Sequence, residues 1–232
     1  MNDITPGITP EDGIVDGRII PAYTNLWRMT RIIDGVEEEI GIWRDRVDYE
    51  VRDGERRLMR WQHSENRLDN TRHEHLDEMD AVTLAPRRVQ WVQDDVTRVD
   101  LRWQGRCFAG RHWMVVPGSD EGLPLEVSVE LPRPAFDWHL WGILIAGFPL
   151  AEGYAASFLG RGGGSLGAMS DLLRRITLRV VGRERAADID CFVVDVEAGV
   201  PWRFWISATR QPRPVVQLAI EASPGITRWW KP

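Results

Sequence analysis

The residues best placed to do chemistry in this chain are acids and histidines that share strand faces with tryptophans. Asp45 falls between Trp43 and Val47 on the apolar side of an alternating run. Loss of water there would raise a carboxyl into the range useful for acid–base work. His63 follows Met59 and Trp61 at two-residue intervals. If their strands are neighbours, Asp45 and His63 form a base and its orienting partner. In Arg72-His73-Glu74-His75-Leu76-Asp77 an extended backbone puts His73, His75 and Asp77 on one side. That trio admits three readings: an exposed polar edge, an acid–base role in the same cavity, or a divalent-metal site. If the cavity is catalytic rather than only a binding site, the residues expected to carry the chemistry are Asp45, His63, His73 and His75, with no metal and no cofactor. The structural alternative for Asp45 is a buried carboxylate neutralised by an arginine such as Arg31 or Arg111, and for His63 a satisfied core or rim histidine. His112 and His139 flank tryptophans and are expected to pack rather than react.

Strands must position these groups. In 39–51, Trp43, Val47, Tyr49 and Val51 alternate with Arg44, Arg46, Asp48 and Glu50, and in 96–104 Val99, Leu101 and Trp103 oppose Arg98, Asp100 and Arg102. A period of two with one wet face is the signature of a half-buried strand. Strands are expected near 25–33, 39–51, 56–67, 71–84, 87–93, 96–104, 106–116, around 125–131, and again near 175–182, 189–197, 202–209 and 214–221, with Asp34-Gly35 and Asp53-Gly54 as hairpin turns. Phe136, Leu140, Leu144 and Phe148 recur every four residues, which predicts a helix over 136–148 that lids or plugs the sheet. The expected fold is mostly β, a single antiparallel curved sheet or half-barrel of about 10–11 strands. Residues 1–16, rich in Pro, Gly and acids, read as a flexible arm, and 17–232 as one domain.

Twelve tryptophans suit a thick core or an apolar cavity. Trp27, Trp43, Tyr49, Trp61, Trp138, Trp141 and Trp205 are the expected cavity wall, while Trp91, Trp103 and Trp113 are expected in the core. The partner class is then a hydrophobic small molecule. Nucleic acid is disfavoured because 29 basic and 35 acidic residues are interspersed, giving a net charge of -6 and no basic stripe. Lys231 is the only lysine, which disfavours a buried Schiff base. Cys107 and Cys191 are too few for a thiolate metal site; they read as separate reduced thiols, with one bridge as the alternative. No Gly-x-Ser-x-Gly elbow or dinucleotide fingerprint occurs, and the glycine-rich run 160–168 lacks the lysine of a phosphate loop. No secretion signal or membrane span is read, so the expected location is cytoplasmic, or periplasmic if a signal has been removed.

The segment Phe136-Asp137 through Phe148-Pro149-Leu150-Ala151-Glu152-Gly153, followed by Val181-Gly182-Arg183-Glu184, Cys191-Phe192-Val193-Val194, Phe204-Trp205-Ile206-Ser207 and Val216-Gln217-Leu218, resembles an uncharacterised bacterial half-barrel family. That family is similar to the periplasmic lipoprotein-localisation carriers. The resemblance covers about residues 130–221. It implies an open antiparallel half-barrel that holds acyl chains against a helical lid, and it supplies no catalytic motif. Three functions follow as expectations: binding of a lipid-like or polycyclic molecule; a cofactor-independent lyase or isomerase using Asp45 and His63; or a docking protein, with a homo-oligomer among its expected forms, that uses strand edges and the Trp229-Trp230 tail.

Overall fold

The computed structural model describes residues 7–115, 122–161, 173–209, 212–221 and 226–230. Eight strands follow in succession: β1 (Tyr23–Ile33), β2 (Val36–Arg52), β3 (Glu55–Asn66), β4 (Thr71–Asp80), β5 (Pro86–Gln93), β6 (Val96–Gln104), β7 (Cys107–Val115) and β8 (Gly122–Glu130). Each is antiparallel to the next. Two-residue turns join several of them. Asp34-Gly35 and Asp53-Gly54 both take positive φ at both positions, the mirror-image turn that matches strand twist. Asp94-Asp95 and Ala187-Asp188 adopt the same left-handed pair without a glycine.

The second half holds β9 (Phe136–Asp137), a 3-10 turn at Trp138–Leu140, α1 (Trp141–Gly147), β10 (Ala155–Arg161), β11 (Leu173–Ala186), β12 (Ile189–Glu197), β13 (Pro201–Ser207), β14 (Val215–Glu221) and β15 (Ile226–Trp230). The strand order runs from β8 down to β1, then β15 down to β9. An eight-strand meander is thus hydrogen-bonded to a seven-strand half through β1 and β15. Among the described residues there are 15 strands rather than the expected 10–11, and β9 pairs with β10 in parallel. The strand β15 lies between β1 and β14, so the Trp229-Trp230 segment is an inner strand rather than a free docking tail.

The helix is shorter than its four-residue spacing predicts. Phe136 and Asp137 pair with Gly160 and Arg161, and only 141–147 are α-helical. Seven residues are too few to hold a helix unaided. Packing holds it, because Gly142 to Gly147 are all buried. Ile143, Leu144 and Ile145 join the main core with Trp27, Trp43, Leu58, Met79 and Phe204. A second core gathers Val89, Val99, Leu101, Trp103 and Phe108, and Leu159 and Leu173 of β10 and β11 pack against it. The strands β5–β7 therefore face β10 and β11 across the interior.

Within the segment expected as an arm, Gly7, Thr9, Pro10 and Val15 are buried while residues 11–14 are exposed. The Ile8 amide donates to the Ser157 carbonyl (2.7 Å) and the Asp16 amide to Gly147 (2.9 Å), while Thr9 and Val15 are buried. Cys107 is exposed and Cys191 buried, and both are free thiols. Among the described residues no helix is long and apolar enough to cross a membrane.

Candidate functional site

Inward-facing polar side chains of β2, β3, β4, β9 and β10 meet in the interior. The first group centres on Arg60. Arg60 and Asp45 are 2% and 1% exposed. Arg60 Nε and Nη2 donate to Asp45 Oδ1 and Oδ2, each at 2.9 Å, and the Tyr23 hydroxyl donates to Oδ2 at 2.8 Å. Arg60 Nη1 donates to the carbonyls of His139 (3.2 Å) and Leu140 (3.3 Å) in the 3-10 turn. The guanidinium lies 5.1 Å from the Trp141 ring and 5.6 Å from that of Trp43. Burial opposes the charge on Arg60, but the Asp45 carboxylate more than compensates and keeps it protonated. A buried arginine held by a bidentate carboxylate and aromatic faces is a satisfied arrangement.

Asp45 is therefore neutralised, as its structural alternative anticipated, by Arg60 rather than by Arg31 or Arg111. It does not meet His63. The register sets Asp45 against Gln62 and Arg44 against His63, so His63 lies on the opposite face from Asp45. There His63 Nε2 is 3.0 Å from Glu65 and Nδ1 is 3.5 Å from Glu74. Reading Met59, Trp61 and His63 as the inner row reverses the strand, because Arg60 enters the core with its carboxylate partner. Trp61 likewise sits on the outer face, 5.2 Å from the Arg46 guanidinium. It lines a depression of about 400 Å³ with Arg44, Arg46, His63, Glu74 and Leu76.

The second group is built on β9 and β10. Asp137 and Arg161 are paired in register and both are 0% exposed. Arg161 Nε donates to Asp137 Oδ2 (2.5 Å) and Nη2 to Oδ1 (3.1 Å). Asp137 also caps the 3-10 turn by accepting from the His139 amide at 3.0 Å. Burial alone would raise the Asp137 carboxyl, but the Arg161 charge and the hydrogen bonds from His139 and Arg161 hold it below the usual carboxylate range. His139 Nδ1 lies 3.0 Å from Asp137 Oδ1 and 2.8 Å from Arg161 Nη2.

Between these pairs lies Asp77, which is 0% exposed, with neither carboxyl oxygen hydrogen-bonded among the described residues. Burial, reinforced by the charge of Asp137, raises its pKa to about 8 against the opposing pull of Arg60 and Arg161. His75, two residues before it, is held well below the ordinary imidazole range, first by burial and then by His139, His73 and Arg60. At neutral pH the cluster thus contains an acid that keeps its proton and an imidazole that does not. A carboxyl that stays protonated beside a neutral imidazole is a recurrent mark of acid–base sites.

The imidazole of His75 is stacked on Trp91 (5.9 Å between centroids) and lies 5.2 Å from the His139 ring, and Trp91 is 6.4 Å from His139. Trp91 Nε1 donates to His73 Nδ1 at 3.1 Å, which fixes that imidazole with its other nitrogen toward Thr71. His73, His75 and Trp91 are half-buried and form the solvent-facing rim. The expectation that His73, His75 and Asp77 share one face is met. Among the described residues, however, no three of His, Cys, Asp and Glu are grouped to hold a metal ion.

Of the expected wall residues, four come together. Trp27 stacks on Trp43 (5.4 Å), Trp43 on Trp141 (4.7 Å), and Trp138 meets Trp202 edge-on (5.6 Å). These rings pack on one another, so they form an aromatic column beside the polar cluster. Tyr49 donates to the carbonyls of Gly17 (3.0 Å) and Ile20 (2.6 Å) and anchors the N-terminal segment instead. Trp205 packs with Ala186, Cys191 and Val216 in a separate cluster, its indole donating to Glu184 at 2.8 Å. Sequence reasoning missed Arg60, Asp137, His139 and Arg161. The one local signal was Asp137 two residues before His139 at the start of a helical turn, where a side-chain cap is favoured.

No family model matches the chain, and neither does any curated protein. Among solved structures it is similar to a β-barrel-like protein of a domain of unknown function, DUF1849, from Brucella abortus. The two are 11% identical over 92% of this chain and 96% of that chain, with a TM-score of 0.48.

Proposed function

We propose that the interior cluster binds an uncharged, largely apolar molecule, lipid-like or polycyclic, and moves a proton on it, in the manner of a cofactor-independent isomerase or lyase. The observation that carries this reading is Asp77. A buried carboxyl with neither oxygen bonded costs stability, and native structures retain such groups where they serve a site. The two flanking pairs each balance a cation against an anion, Arg60 with Asp45 and Arg161 with Asp137. The ligand's polar end then needs no charge, only an oxygen acceptor for the Asp77 proton. A cation is disfavoured by Arg60 and Arg161, both of which act on Asp77. Asp77 is the acid and the neutral His75 imidazole the base. Their Cα atoms are about 7 Å apart along β4, which spans two neighbouring carbons and their substituents.

Binding alone would be best served by a dry wall, whereas two titratable groups of opposite protonation bearing on one point favour proton transfer. The test is native mass spectrometry of the purified protein, followed by identification of what is released on denaturation. The expected result is a stoichiometric uncharged apolar compound that Asp77→Asn still binds but converts about 10²- to 10⁴-fold more slowly. Failure to retain or bind any such compound, across fatty-acyl and polycyclic probes, overturns the reading.

A further inference from the structure

We propose that His139 is a tautomeric switch of this site, presenting Nε2 as a donor when Arg161 holds Nδ1 and as an acceptor when Asp137 holds it. The inference rests on the reading of the interior as a proton-transfer site and adds a residue to it. Its basis is the placement of one ring nitrogen between partners of opposite kind. Nδ1 is 2.8 Å from Arg161 Nη2, which can only donate, and 3.0 Å from Asp137 Oδ1, which as a carboxylate can only accept. With Nδ1 bare, Arg161 supplies the hydrogen bond and the proton sits on Nε2. With Nδ1 protonated, Asp137 receives it and Nε2 is bare.

Most histidines have one orienting partner that fixes a single tautomer. Here each tautomer has a partner at Nδ1. Arg161 keeps its bonds to both Asp137 oxygens, and Asp137 Oδ1 keeps the His139 amide. Each state costs one donor an acceptor, Nε2–H in the first and the Nη2 hydrogen that pointed at Nδ1 in the second, so the count of hydrogen bonds does not by itself fix the tautomer. The frame around the ring is rigid, since Arg60 holds the carbonyls of His139 and Leu140.

Nε2, the nitrogen facing away from this pair, has no hydrogen bond among the described residues, and the His139 ring lies 5.2 Å from His75. The groups facing His139 are His75 of β4, Trp91 of β5, and Asp137 and Arg161 of β9 and β10, with His112 within electrostatic reach. A bare Nε2 takes up one proton to give an imidazolium that still donates from Nδ1 to Asp137. Loss of that Nδ1 proton to water leaves the donor tautomer, now hydrogen-bonded by Arg161. The ring is 8% exposed, so water serves as source and sink. A site with this device can meet a hydroxyl or a carbonyl on the same molecule, before and after proton transfer.

The experiment is long-range proton–nitrogen correlation NMR of the unliganded, histidine-labelled full chain across about pH 5 to 9, with His139→Gln used to assign the signals. The expected result is averaging of both His139 nitrogens between protonated and bare states in the neutral ring. In Asp137→Asn, checked for native near-ultraviolet circular dichroism, Nδ1 should remain bare at neutral pH. A single fixed neutral tautomer in the wild type overturns the switch, whether or not the variant folds. Because no ligand is present, that outcome leaves binding at Asp77 untouched. Absence of any ligand beside a two-tautomer His139 overturns the site reading alone.

Discussion

Asp77 lies directly across from Arg60 in the β3–β4 register, yet the guanidinium turns diagonally to Asp45. The reason is cooperative satisfaction. Asp45 also receives the Tyr23 hydroxyl, and Arg60 has its remaining reach taken by the His139 and Leu140 carbonyls. One buried cation thus serves one of two neighbouring carboxyls, and the other must hold its own proton. Arg60→Met should then leave Asp45 buried and unpaired, lowering stability by about 3–5 kcal/mol in urea denaturation. The double variant Arg60→Met with Asp45→Asn should recover a large part of that loss. Equal instability of the single and double variants would place the loss in packing instead.

The protonated state of Asp77 carries a pH dependence of definite sign. Its carboxyl titrates near 8 in the folded chain against an ordinary 3.8. Between these values the native state binds one more proton than the unfolded state, so stability falls as pH rises through that window and levels off above pH 8. Four pH units at about 1.4 kcal/mol each set the scale at roughly 6 kcal/mol. Asp77→Asn, which has no proton to lose, should gain on the wild type steadily from pH 4.5 to pH 8 when urea midpoints are compared. A constant difference between the two proteins across that range would mean that Asp77 is ionised when folded.

The alternation of β1–β8 and their Asp-Gly turns could be read from residues alone, because one wet face and one dry face leave a period of two. Strand face was not always legible. Hydrophobicity alone puts Trp61 inside and Arg60 outside, and the reverse holds because Arg60 brings a neutralising partner from another strand. The end of β11 was missed for a local reason: Ala187-Asp188 makes a left-handed turn that glycine normally advertises. The cluster itself had almost no signal, since Asp137 and Arg161 are 24 residues apart and meet through a two-residue parallel pairing. Non-local pairing of that kind leaves no periodicity behind.

His63 offers a contrast with His75 that tests which face holds the chemistry. His63 is flanked by exposed Glu65 and Arg44 on the outer face, where ion pairs contribute little. Replacing it by Ala should change stability within about 0.5 kcal/mol and leave ligand retention unaltered. His75→Phe keeps a ring stacked on Trp91 but removes the imidazole, so it should preserve the fold while abolishing proton transfer. Loss of turnover in His63→Ala with retention in His75→Phe would move the site to the outer depression.

Removal of residues 226–232 tests how the two halves are joined. The strand β15 pairs through five residues with β1 and through five with β14, and among the described residues no other strand connects the meander to the second half in the hydrogen-bonded order. Deleting it exposes both neighbours as unpaired edges and opens the aromatic column, because Trp27 and Trp43 belong to one half and Trp141, on the helix whose Gly142 lies against Val215 of β14, to the other. The expected outcome is loss of the cooperative thermal transition and rapid proteolysis, with aggregation through the exposed edges. A docking tail would behave differently: the truncated chain would melt as the full chain does and only its oligomeric state, followed by light scattering, would change. Measuring the melt and the scattering on the same sample separates a strand that builds the sheet from a segment that only binds to it.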